Sequence, residues 1–120
     1  MSKQLIFDQV SEELDRQLVK WGVQDHPCFD PLLTSPTAVK RNVWYEMPTE
    51  ERAKFLCQLA EKKGNLSWTH ILVEEVAEAI AEPDESKRRV ELIQCIAVLV
   101  SWIESIDRRL DKQVDDTLPI

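Results

Sequence analysis

Two glycines in 120 residues leave no material for a glycine-rich phosphate loop or a dinucleotide-binding turn. Long hydrophobic runs are also missing. The most apolar stretch, Val90 to Ile103, is too short to cross a bilayer and carries Glu91, so it reads as a core helix. The first residues, Met1-Ser2-Lys3-Gln4, lack the apolar stretch of a secretory leader. Positive charge is scarce: 15 Lys and Arg stand against 22 Asp and Glu, for a net charge of −7. That balance excludes a general nucleic-acid binder, which needs a basic face, and electrostatic docking on an anionic membrane. A nucleotide could still bind if a cation offset the negative charge at its site. No serine sits in a G-x-S-x-G elbow, and His26 and His70 have no Cys or His partner at metal-ligand spacing. The three cysteines, Cys28, Cys57 and Cys95, form no C-x-x-C pair. An odd number at wide spacing reads as thiols in a reducing, cytoplasmic compartment, with Cys95 as packing.

An apolar fraction of 43% and a charged fraction of 31% fit a water-soluble, helix-rich chain, and the length fits one domain. No segment alternates with a period of two, so no sheet is expected and the fold class is all-α. Leu5, Ile6, Val10, Leu14, Leu18 and Trp21 recur at helical spacing from Gln4 to Lys20, and Gly22 is a natural stop. A proline-rich loop follows from Val23 to Pro48, with Pro27, Pro31, Pro36, Asp25, Asp30 and Thr34, and a short helix from Ala38 to Tyr45 is expected inside it. Thr49 caps a helix running to Lys63, with Gly64 at its end. Ser67 caps another that runs to Ala81, before Pro83. Asp84 starts a last helix reaching Leu110, and residues 111–120 form a polar tail expected to fray. The expected domain is thus residues 1–110.

The acids are not placed as on an ordinary solvated face. At about 100° per residue, Trp68, Ile71, Leu72, Val76, Ala79 and Ile80 form an apolar stripe on the helix from Ser67 to Ala81. Glu75 falls inside that stripe, Glu78 at its edge, and Glu74 further out. In the next helix the run VELIQCIAVLVSWI is apolar nearly all round, and its strongly polar members are Glu91 and Gln94. Glu75 and Glu78 precede the turn near Asp84 by as much as Glu91 and Gln94 follow it. In an antiparallel hairpin rising ~1.5 Å per residue, the two pairs reach one height. Each glutamate alone reads as readily as a solvated residue, and Glu91 could pair with Arg88 or Arg89. Together they form the arrangement in which helical bundles build carboxylate metal sites. Hard oxygen ligands without paired histidines suit Mg²⁺ or Mn²⁺ better than zinc.

These two elements, Glu74-Glu75-Val76-Ala77-Glu78 and Glu91-Leu92-Ile93-Gln94, resemble the paired motifs EExxE and ExxD of the MazG-like, all-α nucleoside-triphosphate pyrophosphohydrolases. The segments WTHILVEEVAEAIAEPD, ELIQCIAVLVSWIESIDRR and RQLVKWGVQDHP are similar to a small phage and bacterial branch of that family. The resemblance implies an antiparallel four-helix-type bundle assembled as a homodimer or homotetramer, and Mg²⁺-dependent hydrolysis of (deoxy)nucleoside triphosphates to monophosphate and pyrophosphate. It implies Glu75, Glu78 and Glu91 as metal ligands, with Gln94 at the position of the family's aspartate. Glu74 and Glu75 would then act in catalysis, Glu74 as a supporting ligand or by orienting water. Gln94 brings no charge, so Asp107 or an acid of a partner subunit could substitute, or the chain could be a catalytically weakened member that binds a nucleotide or a partner. For the substrate, Trp21 at a helix end can stack on a base, with Gln17 or Gln24 reading its edge. Trp68 can line the pocket, and Lys20 and Arg88 can meet phosphate oxygens. The same Lys87-Arg88-Arg89 run also reads as a solvated first turn, and Trp102 as core.

Overall fold

A hydroxyl or carboxylate oxygen begins each helix by accepting a backbone N–H that would otherwise lack a partner. Ser2 caps α1 (Lys3–Trp21), Thr37 caps α2 (Ala38–Trp44), Thr49 caps α3 (Glu50–Lys63) and Ser67 caps α4 (Trp68–Ala81). Asp84 caps α5 (Glu85–Thr117) through its Oδ1, which accepts from Lys87 N at 3.1 Å. The computed structural model describes residues 2–33 and 37–117, and among them these five helices are the regular structure. The all-α class follows. Thr34 and Pro36 of the proline-rich loop, and residues 118–120 of the expected tail, lie outside the described residues.

Most helix boundaries fall within a residue or two of the sequence reading. At α4 the cap is a full capping box: His70 takes the third helical position and its ring nitrogen lies 2.6 Å from Ser67 Oγ. Gly64 ends α3 in the left-handed region, at φ 75°, where a side chain would be strained. The exception is α5. It does not stop near Leu110 but continues to Thr117. The polarity of residues 111–117 does not end the helix, because residues such as Lys112 and Gln113 are good helix formers and need no apolar face to continue a backbone ladder already running.

The chain groups into two compact units, residues 1–28 with 100–120, and residues 29–99. In the first, Ile6 and Val100 are buried, while Leu14, Leu18 and Trp21 of α1 are exposed. In the second, α4 packs against α2 and α3. Its interior is built from small side chains: Ala53, Cys57 and Ala60 of α3, Ala77, Ala79 and Ala81 of α4, and Cys95 of α5. The stripe expected to be the core of α4 is only half-buried at Trp68, Ile71, Leu72, Val76 and Ile80. Small residues allow close backbone approach, so the neighbouring helices settle on the alanine face. The expectation that α5 is buried all round is also corrected. Within one chain Val90, Leu92, Ile93, Ile96, Leu99 and Ile103 are exposed, and Trp102 is half-buried.

The start of the proline-rich loop is tied down. Asp30 accepts from its own turn at Leu32 N (2.9 Å) and from Trp44 Nε1 (3.3 Å), and its N–H donates to Tyr45 Oη at 2.6 Å. The Phe29 ring lies under two guanidiniums, those of Arg41 at 5.4 Å and Arg88 at 4.6 Å. Among the described residues, no helix is long and apolar enough to cross a membrane.

Candidate functional site

The turn at residues 82–84 folds α5 back so that α4 and α5 bring their acids together. Glu75 and Glu78, one helical turn apart on α4, and Glu91 on α5 each offer a carboxylate oxygen, and the three oxygens lie within 4.8 Å of one another. All three residues are half-buried. Glu75 Oε2 and Glu91 Oε2 are fully shielded from water and have no hydrogen-bond partner. An ionised oxygen in that position is costly unless a proton or cation meets it.

The electrostatics follow from this crowding. Burial, and then the charges of Glu91 and Glu74, hold the Glu75 carboxyl above the usual carboxylate range. Burial again leads for Glu78, joined by the charges of Glu75, Glu91, Glu74 and Glu50, and pushes it up to about 7. In an unfolded chain both acids return to ordinary values near 4.5. Between about 4.5 and 7 the folded protein therefore binds more protons than the unfolded one, and its stability falls as pH rises through that window. The melting temperature of metal-free protein in a chelator is thus expected to drop from pH 5 to pH 8. Glu78→Gln is expected to flatten that drop. A wild-type profile that is level or rises over this range would contradict the crowding.

The other residues singled out in the sequence are placed differently. Glu74 is not part of the three-acid group and lies beside the Cys57 thiol of α3. That thiol donates to His70 O at 3.0 Å, and burial, with Glu74 beside it, pushes it up to about 12. Gln94 is exposed. Arg88 is engaged structurally: its Nη2 donates to Glu82 O at 2.6 Å and its guanidinium covers Phe29. Trp68 is half-buried at the first position of α4. On α1, in the other unit, Gln17 donates to Glu13 at 3.3 Å and Lys20 lies 4.6 Å over the exposed Trp21 ring. Asp107 has a buried Oδ2 without a partner.

Two further residues belong to the surroundings of the three acids. Glu50, in the first turn of α3, contributes its charge at Glu78. In the sequence it reads as an acid complementing a helix N-terminus, and only the packing of α3 on α4 gives it a second role. Cys95 is one turn beyond Glu91, buried, with its thiol raised by burial and by the charges of Glu75, Glu91 and Glu78. The i, i+4 spacing is the sequence signal that places it on the side of Glu91.

A small apolar cleft of about 190 Å³, lined by Ala53, Leu56, Ser67, Thr69, His70 and Val73, opens between α3 and α4. Ligand pockets commonly run from about 300 Å³ upward. Val73 also lies roughly opposite Glu75 around α4, so this cleft is not the space in front of the acids. No protein-family profile, no curated protein and no solved structure matches the chain.

Proposed function

We propose that this chain is a metal-dependent nucleoside-triphosphate pyrophosphohydrolase of the MazG-like kind, an antiparallel four-helix-type bundle acting as a homodimer or homotetramer. The observation that carries the reading is the meeting of Glu75, Glu78 and Glu91 from two helices, with two buried carboxylate oxygens that lack any partner. Such a donor set fits a hard cation, Mg²⁺ or Mn²⁺, and these three residues would hold it. When bound, the cation supplies charge neutralisation for phosphate oxygens and acidifies a water. Glu74, one residue before Glu75 and beside Cys57, would be a supporting ligand or orient that water. Trp68 would line the approach to the acids. Arg88 serves phosphate only if it leaves Glu82 O.

The test is pyrophosphate release from a panel of dNTPs and NTPs with Mg²⁺ or Mn²⁺. Turnover that requires the cation is expected. Its absence, together with a melting temperature indifferent to either cation, would sink the reading.

Gln94 favours a second reading, a catalytically weakened member that binds a nucleotide or a partner. Gln94→Asp separates the two. It restores a carboxylate one turn from Glu91, and is expected to tighten Mn²⁺ binding about 10-fold. If turnover appears only in this variant, the wild-type chain is the weakened one.

A further inference from the structure

Where α3 packs on α4, the buried side chains are Ala53, Cys57 and Ala60 on one helix and Ala77 and Ala81 on the other. Small side chains let two helices approach closely, but they interdigitate little and leave rotation and height weakly fixed. Yet Glu75 and Glu78 must stand at one height and one angle to meet Glu91. Something directional has to hold α4.

The Cys57 thiol of α3 bonds to His70 O at the start of α4, and the directional contacts nearest the acids come from α2. Asn42 is completely buried, at 0% exposure, and its Nδ2 donates to Ala77 O at 3.1 Å and to Pro48 O at 2.8 Å. Ala77 lies between Glu75 and Glu78. The Asn42 main-chain carbonyl also accepts from Met47 N at 2.9 Å, across a turn in which Glu46 takes a left-handed φ of 55°. One residue therefore fastens α4, the α2–α3 turn and its own helix together. Its neighbour Arg41, 4% exposed, adds bonds to Ile80 O (2.9 Å) and Ala81 O. Asn42 Oδ1 remains buried without a partner. A buried amide with an unpaired oxygen is a poor way to stabilise a core, since the desolvation of that atom is not offset. It is an effective way to set an angle, because both of its N–H bonds are directional.

We infer that Asn42 is a positioning residue for the three-carboxylate centre, holding α4 at Ala77 so that Glu75 and Glu78 face Glu91. This rests on the reading of that centre as a cation site. Mn²⁺ affinity, measured by electron paramagnetic resonance of free Mn²⁺ at low temperature, tests it in wild type, Asn42→Ala, Asn42→Ser and Ala53→Gly, each shown to be folded by circular dichroism. Ala53→Gly loosens the same interface at a 2%-exposed position that bonds to nothing on α4, and serves as the control for lost stability. Asn42→Ala is expected to weaken Mn²⁺ binding about 10-fold, as for residues that orient ligands, whereas Ala53→Gly lowers the melting temperature with little change in affinity. Should Asn42→Ala not fold, Asn42→Ser, which keeps one donor, is expected to bind more weakly than Ala53→Gly. Asn42 variants that bind Mn²⁺ as Ala53→Gly does would overturn the positioning role while leaving the cation site intact. A wild-type protein that binds no Mn²⁺ would remove both.

Discussion

Glu75→Gln is expected to lower cation-dependent pyrophosphate release at least about 100-fold while raising the melting temperature of metal-free protein at pH 8. The two effects have one cause. In the folded chain the Glu75 carboxyl is partly buried beside Glu91 and Glu74, and its Oε2 has no hydrogen-bond partner. Without a cation its charge is a burden, so a neutral amide of nearly the same shape relieves the fold. With a cation the same charge is an attraction. A ligand charge at a catalytic cation contributes several kcal/mol, and about 1.4 kcal/mol is tenfold in rate. Few substitutions in a helical interior gain stability as they lose function, so the pair of readouts is diagnostic. A variant that loses both activity and stability would mark Glu75 as a packing residue. A variant with wild-type turnover would move the chemistry away from this cluster. Glu78→Gln is expected to behave in the same way, since its carboxyl is raised to about 7 by burial and by four neighbouring acids.

The meeting of Glu75, Glu78 and Glu91 was legible in the sequence because it depends only on fixed geometry. Helical rise and twist put residues equally far from a short turn at one height, and the caps at Ser67 and Asp84 set where the two helices begin. The caps at Thr49 and Ser67 were legible for the same local reason. Which face of α4 would be covered was not. Trp68, Ile71 and Leu72 make the stronger apolar stripe, but burial depends on what packs there, and α2 and α3 settle on Ala77 and Ala81 instead. The work of α2 was equally hidden. In a sequence, Arg41 and Asn42 read as polar residues of a loop helix, and only their distant acceptors, Ile80, Ala81 and Ala77, show that they are interior. The part of Glu50 is hidden in the sequence because its relation to the acids is tertiary, whereas Cys95, which reads as packing, is buried one turn from Glu91. The full length of α5 is not legible in its polar end, because polar residues continue a helix and a breaker such as proline or glycine is what stops one.

Replacing Ile96 and Ile103 together by glutamate is expected to convert the proposed oligomer into monomers, with association at least about 100-fold weaker. Along α5 the exposed residues Leu92, Ile96, Leu99, Ile103, Ile106 and Leu110 recur at alternating steps of four and three, and each is 38–52% exposed in the single chain. That spacing averages three and a half residues, the repeat of the seam in coiled coils and four-helix-type bundles. Fully burying one such side chain contributes about 1.5–3 kcal/mol, so a row of this length facing water favours a second copy. Two carboxylates introduced into the row would have to be desolvated without partners, which opposes pairing strongly. Glu91 is displaced about 100° around the helix from Leu92, off the row, so association and cation binding can be separated. Sedimentation at several concentrations reads the first, and Mn²⁺ affinity the second. If the monomeric variant still binds Mn²⁺ as tightly as wild type, each chain carries its own complete site; if binding falls with association, a partner subunit supplies what Gln94 lacks. A wild-type chain that sediments as a monomer throughout would instead remove the bundle-by-association reading.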